Sequence, residues 1–381
     1  MTGTDNYLKR LLNNLRTLRE KAGLSPREIE DRLILGPGWI TRFEEGETTP
    51  NIDMLLAILH ETGSALSDLL VDLPVYSDAA GIERFIFAEQ IGTDIRIHFH
   101  YAKFDATYTL ENATVDEFEA IIKTLRDGLA QLADVEEDLS EAIKADSVSR
   151  AFLKAVETWP DANPSDLWWF IIYRAYCDPF NHPAQFARLD FTQSWKRTSG
   201  WALEKILVQH YGPFLAKHGV KLFIADGAAK QVIVKELAVE DRLEADKIDV
   251  VLKGVEDEQF FGVVHVKASF AERRTDDVPM SVALKRAGYT SPLWTMDCKS
   301  TPAKLPRNRG ELGAPQGPRS AKRKDIEDEG YFTGCFSYNR NTQPSEGNLA
   351  PDRRVYVCDF RCPDDAFSRF ILERWREHQP V

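Results

Sequence analysis

The chain has 381 residues, 43% of them hydrophobic and 28% charged, with a formal net charge of −12. These values are typical of a globular protein with two or three domains, and they exclude a chain coated in positive charge, although a local basic groove remains possible. No apolar run approaches the roughly 20 residues of a membrane-spanning helix, and the amino terminus lacks the layout of a signal peptide. The five cysteines are scattered, which excludes a four-ligand zinc site. We expect a cytoplasmic protein with reduced thiols.

Residues 6–71 form the first predicted unit, in which apolar residues recur at helical spacing in five short segments. The segment LLNNLRTLREKAG ends at Gly23, and Ser25-Pro26 provides an N-cap and a first-turn proline for the next. Gly36-Pro37 then opens the third, GWITRFEEG. The run LRTLREKAGLSPREIEDRL followed by ITRFEEGETTPNIDMLLAIL resembles the Cro/CI-type helix-turn-helix domain. The resemblance implies that the helix over about 37–45 enters the major groove of DNA.

The outward residues predicted for that helix include Trp39, Thr41 and Arg42, whereas Ile40 and Phe43 are predicted to be core. One indole, one hydroxyl and one guanidinium are a poor set for reading bases. Two interpretations therefore stay open: sequence-specific binding, or a scaffold for dimerisation and non-specific DNA contact. The basic residues of the first helix, which include Arg16 and Arg19, are compatible with contact to the DNA backbone.

The rest of the chain predicts a mixed α/β (α+β) architecture. Alternation over residues 95–110 predicts a β-hairpin followed by a helix, so residues 73–135 are predicted to be a ββα module between the helix-turn-helix domain (1–72) and a larger domain (136–381). Residues 136–198 read as a helical subdomain. From residue 199 the pattern predicts a serine-capped helix, strands that include 231–237, 247–254 and 260–269, and helices over 275–289 and at the carboxyl terminus. Such a pattern indicates a mixed sheet covered by helices.

The stretch GVVHVKAS, residues 262–269, alternates like a strand and places His265 and Lys267 on one face. Asp249 lies at the start of the neighbouring predicted strand, so a hairpin can bring its carboxylate and the Lys267 ammonium to one end of the sheet. A carboxylate there can hold a divalent metal ion, and the lysine can orient or deprotonate water and stabilise a phosphate transition state. Ile248-Asp249 followed by His265-Val266-Lys267 resembles the PD-(D/E)xK nuclease core. The resemblance implies a restriction-endonuclease-like fold and Mg²⁺ as cofactor.

His265 departs from that pattern, because the resembled nucleases carry an acid two residues before the lysine. Histidine does not replace a hard carboxylate for magnesium, so we expect His265 to be a hydrogen-bonded neighbour in the catalytic site. The resemblance implies that a glutamate on the helix before the sheet, here Glu204, completes the metal site with Asp249. Asp276 and Asp277 are the alternatives.

A second motif follows the lysine. Lys267-Ala-Ser269-Phe-Ala-Glu272-Arg273 matches the K-x-S/T-x-x-D/E-R block of type II restriction endonucleases that cut CCGG-centred sites, and the layout over about 150–381 resembles the BsaWI family. The resemblance implies that Glu272, Arg273 and Arg274 read G·C pairs, since a carboxylate accepts from cytosine N4 and a guanidinium pairs with guanine O6 and N7. A surface Glu-Arg pair is the alternative.

Residues 267–324 hold 13 Lys and Arg against 5 Asp and Glu, inside an acidic chain. The Gly- and Pro-rich part of this segment includes Arg307 and Arg309, which we predict to contact DNA phosphates. A solvated loop is the alternative.

These observations favour a Mg²⁺-dependent type II restriction endonuclease with a fused helix-turn-helix domain, acting on duplex DNA at a CCGG-containing site. Palindromic DNA implies a homodimer, and a cognate DNA methyltransferase is expected. The alternatives are a transcription regulator that has lost catalysis and a nuclease for repair or antiviral defence without strict sequence preference.

Overall fold

The computed structural model divides the chain into two compact units, residues 1–83 and 84–381. Within the parts of the chain that the structure describes, no helix is long and apolar enough to cross a bilayer. The predicted boundaries at 72/73 and 135/136 stay predictions. The described residues are 3–48, 50–71, 84–101, 104–134, 137–177, 191–236, 248–269, 274–298 and 308–379.

The first unit is a bundle of the five predicted helices. Ser25 caps the second helix in a reciprocal pair with Glu28, and the buried Glu30 carboxylate accepts the Ile40 N–H at the start of the third. Ile40 and Phe43 are buried with Leu15 in one core, as predicted. The five helices are α1 (Gly3–Lys21), α2 (Pro26–Arg32), α3 (Trp39–Glu44), α4 (Ile52–Thr62) and α5 (Leu66–Leu69).

The second unit begins with an antiparallel sheet of three strands, where the sequence predicted two. The strand missed is β1 (Arg84–Ile91), which pairs with β2 (Asp94–Tyr101); β2 pairs in turn with β3 (Phe104–Leu110). Exposed polar residues near the end of this edge strand, such as Glu89, weaken its apolar alternation. Helix α6 (Val115–Leu129) follows, and Thr114 caps it with Glu117. The small module is therefore βββα.

Three long helices lead to the main sheet: α7 (Glu137–Thr158), α8 (Pro164–Cys177) and α9 (Phe191–Ala216). The prediction that Ser199 caps α9 was wrong, because the helix begins at Phe191 and continues through Ser199. α9 packs against α7 and against two strands of the main sheet.

The main sheet has six strands in the order β4-β5-β6-β7-β8-β9. The pairs β4–β5 and β5–β6 are antiparallel, and β6, β7, β8 and β9 run parallel. Parallel strands bring their carboxyl ends to one edge of the sheet. The strands are β4 (Val220–Phe223), β5 (Val250–Gly254), β6 (Phe260–Lys267), β7 (Leu293–Thr295), β8 (Cys335–Ser337) and β9 (Val355–Val357).

Helices α10 (Gly227–Glu236), α11 (Arg274–Arg286), α12 (Ala321–Glu327) and α13 (Ala366–His378) complete this unit. The strand predicted over 231–237 is wrong, because most of that segment lies in α10. The Asp226 carboxylate accepts the Ala229 N–H at 2.8 Å, which stabilises a helix start there. Met280 and Leu284 of α11 pack with Val251 and Val263 of the sheet. This packing holds the first turns of α11 beside the end of β6.

Candidate active site

Asp249 and Lys267 meet at the end of the β5–β6 hairpin. The Lys267 Nζ atom lies 2.6 Å from Asp249 Oδ2, which also accepts the Val266 N–H at 2.9 Å. Both side chains are less than a tenth exposed. The antiparallel register pairs Val250 with Val264, so the residue before β5 faces the last residues of β6. The structure thus brings the predicted carboxylate and ammonium together.

Asp277 is the second carboxylate at this ammonium. Its Oδ1 atom lies 3.4 Å from Lys267 Nζ, and the side chain is 1% exposed. Asp277 comes from the first turns of α11, one helical turn before Met280, which anchors that helix on the sheet. Of the three acids that the sequence offered as a second ligand, Asp277 is the one with a described contact to Lys267.

His265 lies beside these three side chains and is fully buried. Its Nε2 atom is 2.8 Å from Ser291 Oγ, and its Nδ1 atom is 3.9 Å from Asp277 Oδ1. Burial is the main cause that lowers the pKa of His265 to about 4; the Asp249 carboxylate opposes this shift and the Lys267 ammonium adds to it. The imidazole is therefore neutral near pH 7. Because Asp277 contacts both His265 and Lys267, those two side chains share one face of β6, as their spacing predicted.

Glu204 is buried on α9, the helix that packs against β6. Among the described residues, no three His, Cys, Asp or Glu side chains form a cluster able to hold a metal ion. Two hard oxygen donors, Asp249 and Asp277, nevertheless converge on one ammonium, and this donor chemistry fits a divalent cation such as Mg²⁺. The assignment of Glu204 as a ligand stays a prediction.

Several residues predicted to bind DNA lie outside the described residues: Glu272, Arg273 and Arg307. Arg274 is the first residue of α11, and its side chain is not described. Arg309 is described and exposed.

Three basic residues that follow Arg309 in the chain pair with acidic side chains: Arg319 with Asp328, Lys322 with Glu311, and the fully buried Arg323 with Glu327. The predicted basic groove is therefore smaller than the count of Lys and Arg suggests.

The helix-turn-helix unit presents Trp39 and Thr41 on the outer surface of α3. The Arg42 guanidinium lies 4.7 Å from the centre of the Trp39 ring, and its Nε donates to the Gly38 carbonyl. One basic residue of α1, Arg19, is less accessible than predicted, whereas Arg16 is exposed. Arg19 is 7% exposed and makes two hydrogen bonds to Glu44, while Arg16 pairs with Glu20. Arg19 is therefore unsuited to backbone contact.

The sequence did not single out Asp297, which is 2% exposed just beyond the end of β7. A signal was present, because an acid directly after the apolar run LWTM is placed at the carboxyl end of a strand, the edge where parallel sheets bind ligands.

The family model "Helix-turn-helix domain" matches residues 10–63. The chain is 40% identical over 237 residues to the type II restriction enzyme AgeI of Thalassovita gelatinovora, which covers 60% of this chain and 83% of that protein. The crystal structure of the restriction endonuclease AgeI in a specific complex with DNA matches with a TM-score of 0.61 and 34% identity, over 73% of this chain and 99% of that one. The pre-specific BsaWI–DNA complex gives a TM-score of 0.35 at 15% identity, over 68% of this chain and 93% of that one.

Proposed function

This chain belongs to the type II restriction enzymes, which are site-specific deoxyribonucleases, and we propose that it cuts duplex DNA at a CCGG-containing site with Mg²⁺ as its metal ion. The convergence of Asp249 and Asp277 on the Lys267 ammonium supports this proposal. In that arrangement hard oxygen donors and a cation face one point at the edge of the sheet. The similarity to AgeI, which has been solved with DNA, supports duplex DNA as the substrate.

Asp249 and Asp277 are the residues that would hold the metal ion, with Glu204 as a further ligand. A bound divalent cation would make a water molecule more acidic and neutralise charge on the scissile phosphate. Lys267 orients the attacking water and stabilises the negative charge that develops on the phosphate. Asp249 holds the Lys267 ammonium in place through its 2.6 Å contact.

His265 acts as a neutral neighbour of the catalytic residues in this proposal. Its low pKa keeps the imidazole uncharged near pH 7, so His265 adds no second positive charge beside Lys267 at the Asp277 carboxylate, which would bind the metal ion. The resembled PD-(D/E)xK nucleases carry this acid on the strand. In this chain Asp277, on helix α11, would take its place.

Recognition of the site is assigned to Glu272, Arg273 and Arg274, a few residues beyond Lys267 in the chain. Arg309, and with it Arg307, would bind phosphates. We further propose that a homodimer cuts the two strands, that a methyltransferase of the same specificity protects the host, and that the enzyme works in the cytoplasm.

The helix-turn-helix domain would add DNA contacts through Trp39, Thr41 and Arg42. These contacts serve either sequences flanking the cut site or the promoter of the enzyme's own gene. The stacked Trp39–Arg42 pair offers a flat, cationic surface to DNA.

The test is digestion of a plasmid with and without Mg²⁺. Discrete fragments with ends that map to CCGG-containing sites are the expected result. A smear would indicate a nuclease without strict sequence preference, and intact plasmid in Mg²⁺ would indicate a regulator that has lost catalysis. Pre-treatment of the plasmid with a CCGG methyltransferase is expected to protect it, which separates site recognition from general nuclease activity.

A further inference from the structure

A second buried polar cluster lies at the carboxyl end of β7, next to the strand that ends in Lys267. The backbone on both sides of Asp297 is bonded to that strand end. The Met296 N–H donates to the Lys267 carbonyl and the Cys298 N–H donates to the Ala268 carbonyl, each at 3.1 Å. The position of Asp297 is therefore tied to the position of Lys267.

The carboxylate of Asp297 binds the chain segment 308–312 on its other side. Oδ1 accepts the N–H of Glu311 at 2.7 Å and that of Leu312 at 3.1 Å. Oδ2 accepts the hydroxyl of Thr342. Every non-proline residue carries a backbone N–H group, so two of these hydrogen bonds position the main chain of the segment independently of its side chains.

Gly310 shows how closely this segment approaches Asp297. Its φ of +69° is left-handed, and a Cβ atom built on it would lie 2.1 Å from Asp297 Oδ2. A side chain at position 310 is thus excluded by sterics as well as by backbone conformation.

Asn308 holds the segment from a third direction. Its Nδ2 donates to Ser165 Oγ at 2.8 Å, and its Oδ1 accepts the Gly310 N–H at 3.1 Å. Asn339 Nδ2 donates to the carbonyls of both Asp297 and Asn308. The two neighbours of Arg309 in the chain are therefore buried and hydrogen-bonded, whereas Arg309 itself is exposed.

The geometry points to Asp297 as a positioning residue that holds the exposed guanidinium of Arg309 ready for a DNA phosphate, in a fixed relation to the strand end that bears Lys267. This inference rests on the proposed function, because it assumes that Arg309 binds DNA. A residue between two anchored neighbours loses little backbone freedom on binding, so its phosphate contact is stronger than that of an arginine on a free loop. The same hydrogen bonds connect the proposed phosphate contact of Arg309 to the strand end that bears Lys267.

The experiment measures binding of the full-length protein to a CCGG-containing duplex at several salt concentrations, with calcium in place of magnesium. Arg309→Ala is expected to weaken binding about tenfold and to reduce the slope of log K against log salt by about 0.9, the value for one lost phosphate contact. Asp297→Ala is expected to reproduce both changes, and the double variant to add little to either.

Asp297→Asn is the conservative variant. The amide oxygen can still accept the Glu311 and Leu312 N–H groups, and the amide NH₂ can donate to the Thr342 hydroxyl. We therefore expect it to restore both the affinity and the salt slope. A loss as large as that of Asp297→Ala would show that the negative charge matters rather than the positioning, and would overturn the inference.

Asp365→Ala is the matched control, because Asp365 also accepts two backbone N–H groups, those of Phe367 and Ser368, at the start of α13. It is expected to lower stability and leave the salt slope unchanged; a reduced slope here would mean that general destabilisation explains the result.

If Asp297→Ala does not fold, Thr342→Val and Gly310→Ala replace it with the same expectation. An unchanged slope for Arg309→Ala overturns the phosphate contact itself. A changed slope for Arg309→Ala with additive losses in the double variant overturns only the role of Asp297.

Discussion

Asp277 Oδ1 lies 3.4 Å from Lys267 Nζ, although the two residues belong to different elements, helix α11 and strand β6. The same oxygen is 3.9 Å from His265 Nδ1. A carboxylate delivered by the helix thus lies beside the strand position where related nucleases carry an acid. Under the proposed function, this relationship accounts for a histidine at that position of a PD-(D/E)xK nuclease site.

Asp277→Ala is therefore expected to reduce cleavage at least about a hundredfold, because it removes a proposed ligand of the metal ion and a partner of Lys267. Asp276→Ala is the matched comparison, and we expect it to cut at nearly the wild-type rate. Single-turnover cleavage of a short duplex over a range of Mg²⁺ concentrations is the measurement. Introducing His265→Asp into the Asp277→Ala variant is expected to restore part of the activity. Wild-type cleavage by Asp277→Ala would reject the assignment.

Asp249→Ala and Lys267→Ala are expected to abolish cleavage and preserve DNA binding. The two side chains meet at 2.6 Å beside the proposed metal site, whereas the proposed DNA contacts lie elsewhere on the chain. Cleavage and calcium-supported binding are measured on the same duplex. Lys253→Ala is a control on the neighbouring strand β5, where the lysine pairs with Glu258 instead. The site assignment fails if either catalytic variant cuts as fast as the wild type.

Arg273→Ala is expected to lower affinity for a CCGG-containing duplex by about tenfold to a hundredfold, because a bidentate contact to guanine is worth roughly 1–3 kcal/mol of discrimination. Affinity for a scrambled duplex should change much less, since phosphate contacts remain. Arg309→Ala is expected to weaken binding to both duplexes equally. Equal losses on both duplexes for Arg273→Ala would identify Glu272-Arg273 as a surface pair.

Deletion of residues 1–72 is expected to leave a folded and catalytically competent remainder. The five-helix unit has its own hydrophobic core, and the contacts among Asp249, Lys267 and Asp277 all lie in the other unit. Thermal unfolding and cleavage assays of the truncated protein provide the measurement. A remainder that binds the CCGG-containing duplex tightly and yet does not cut it would show that the modules are not separable.

His210 predicts a specific dependence of stability on pH. Burial lowers its pKa from 6.5 to about 4, so the unfolded chain takes up a proton below pH 6.5 while the folded protein does not. Its contribution to stability is therefore complete above pH 6.5 and is lost as the pH falls toward 4. Between pH 7 and pH 5 the loss is about 2 kcal/mol.

His210→Phe removes this proton uptake and keeps an aromatic ring beside Tyr211 and Phe360. Urea unfolding at pH 7 and pH 5 is expected to show a difference in the free energy of unfolding that is about 2 kcal/mol smaller than in the wild type. His218→Gln, at an exposed position near the end of the same helix, is the control and should keep the wild-type difference. An unchanged difference in His210→Phe would contradict the prediction.

Local sequence determined much of this protein. The five helices of the first unit follow from short-range signals, such as the Ser25–Glu28 cap, that act within a few residues and need no distant partner. The pairing of Asp249 with Lys267 was also predictable, because a hairpin joins neighbouring strands and leaves little choice of register. The short-range pattern gave a wrong prediction at residues 231–237. The run Val232-Ile233-Val234 suits a strand, but most of the segment lies in helix α10.

Only the tertiary structure decided which acid accompanies Lys267 and what Asp297 holds. Asp276 and Asp277 are adjacent in sequence, and the packing of Met280 and Leu284 on the sheet sets the rotation of α11 that directs Asp277 to the lysine. Asp297 gains its partners from segments at 308–312 and 342, which meet only because β7 and β8 pair in parallel. Contacts between segments far apart in the chain depend on how helices and strands pack together, and a short sequence pattern does not predict that packing.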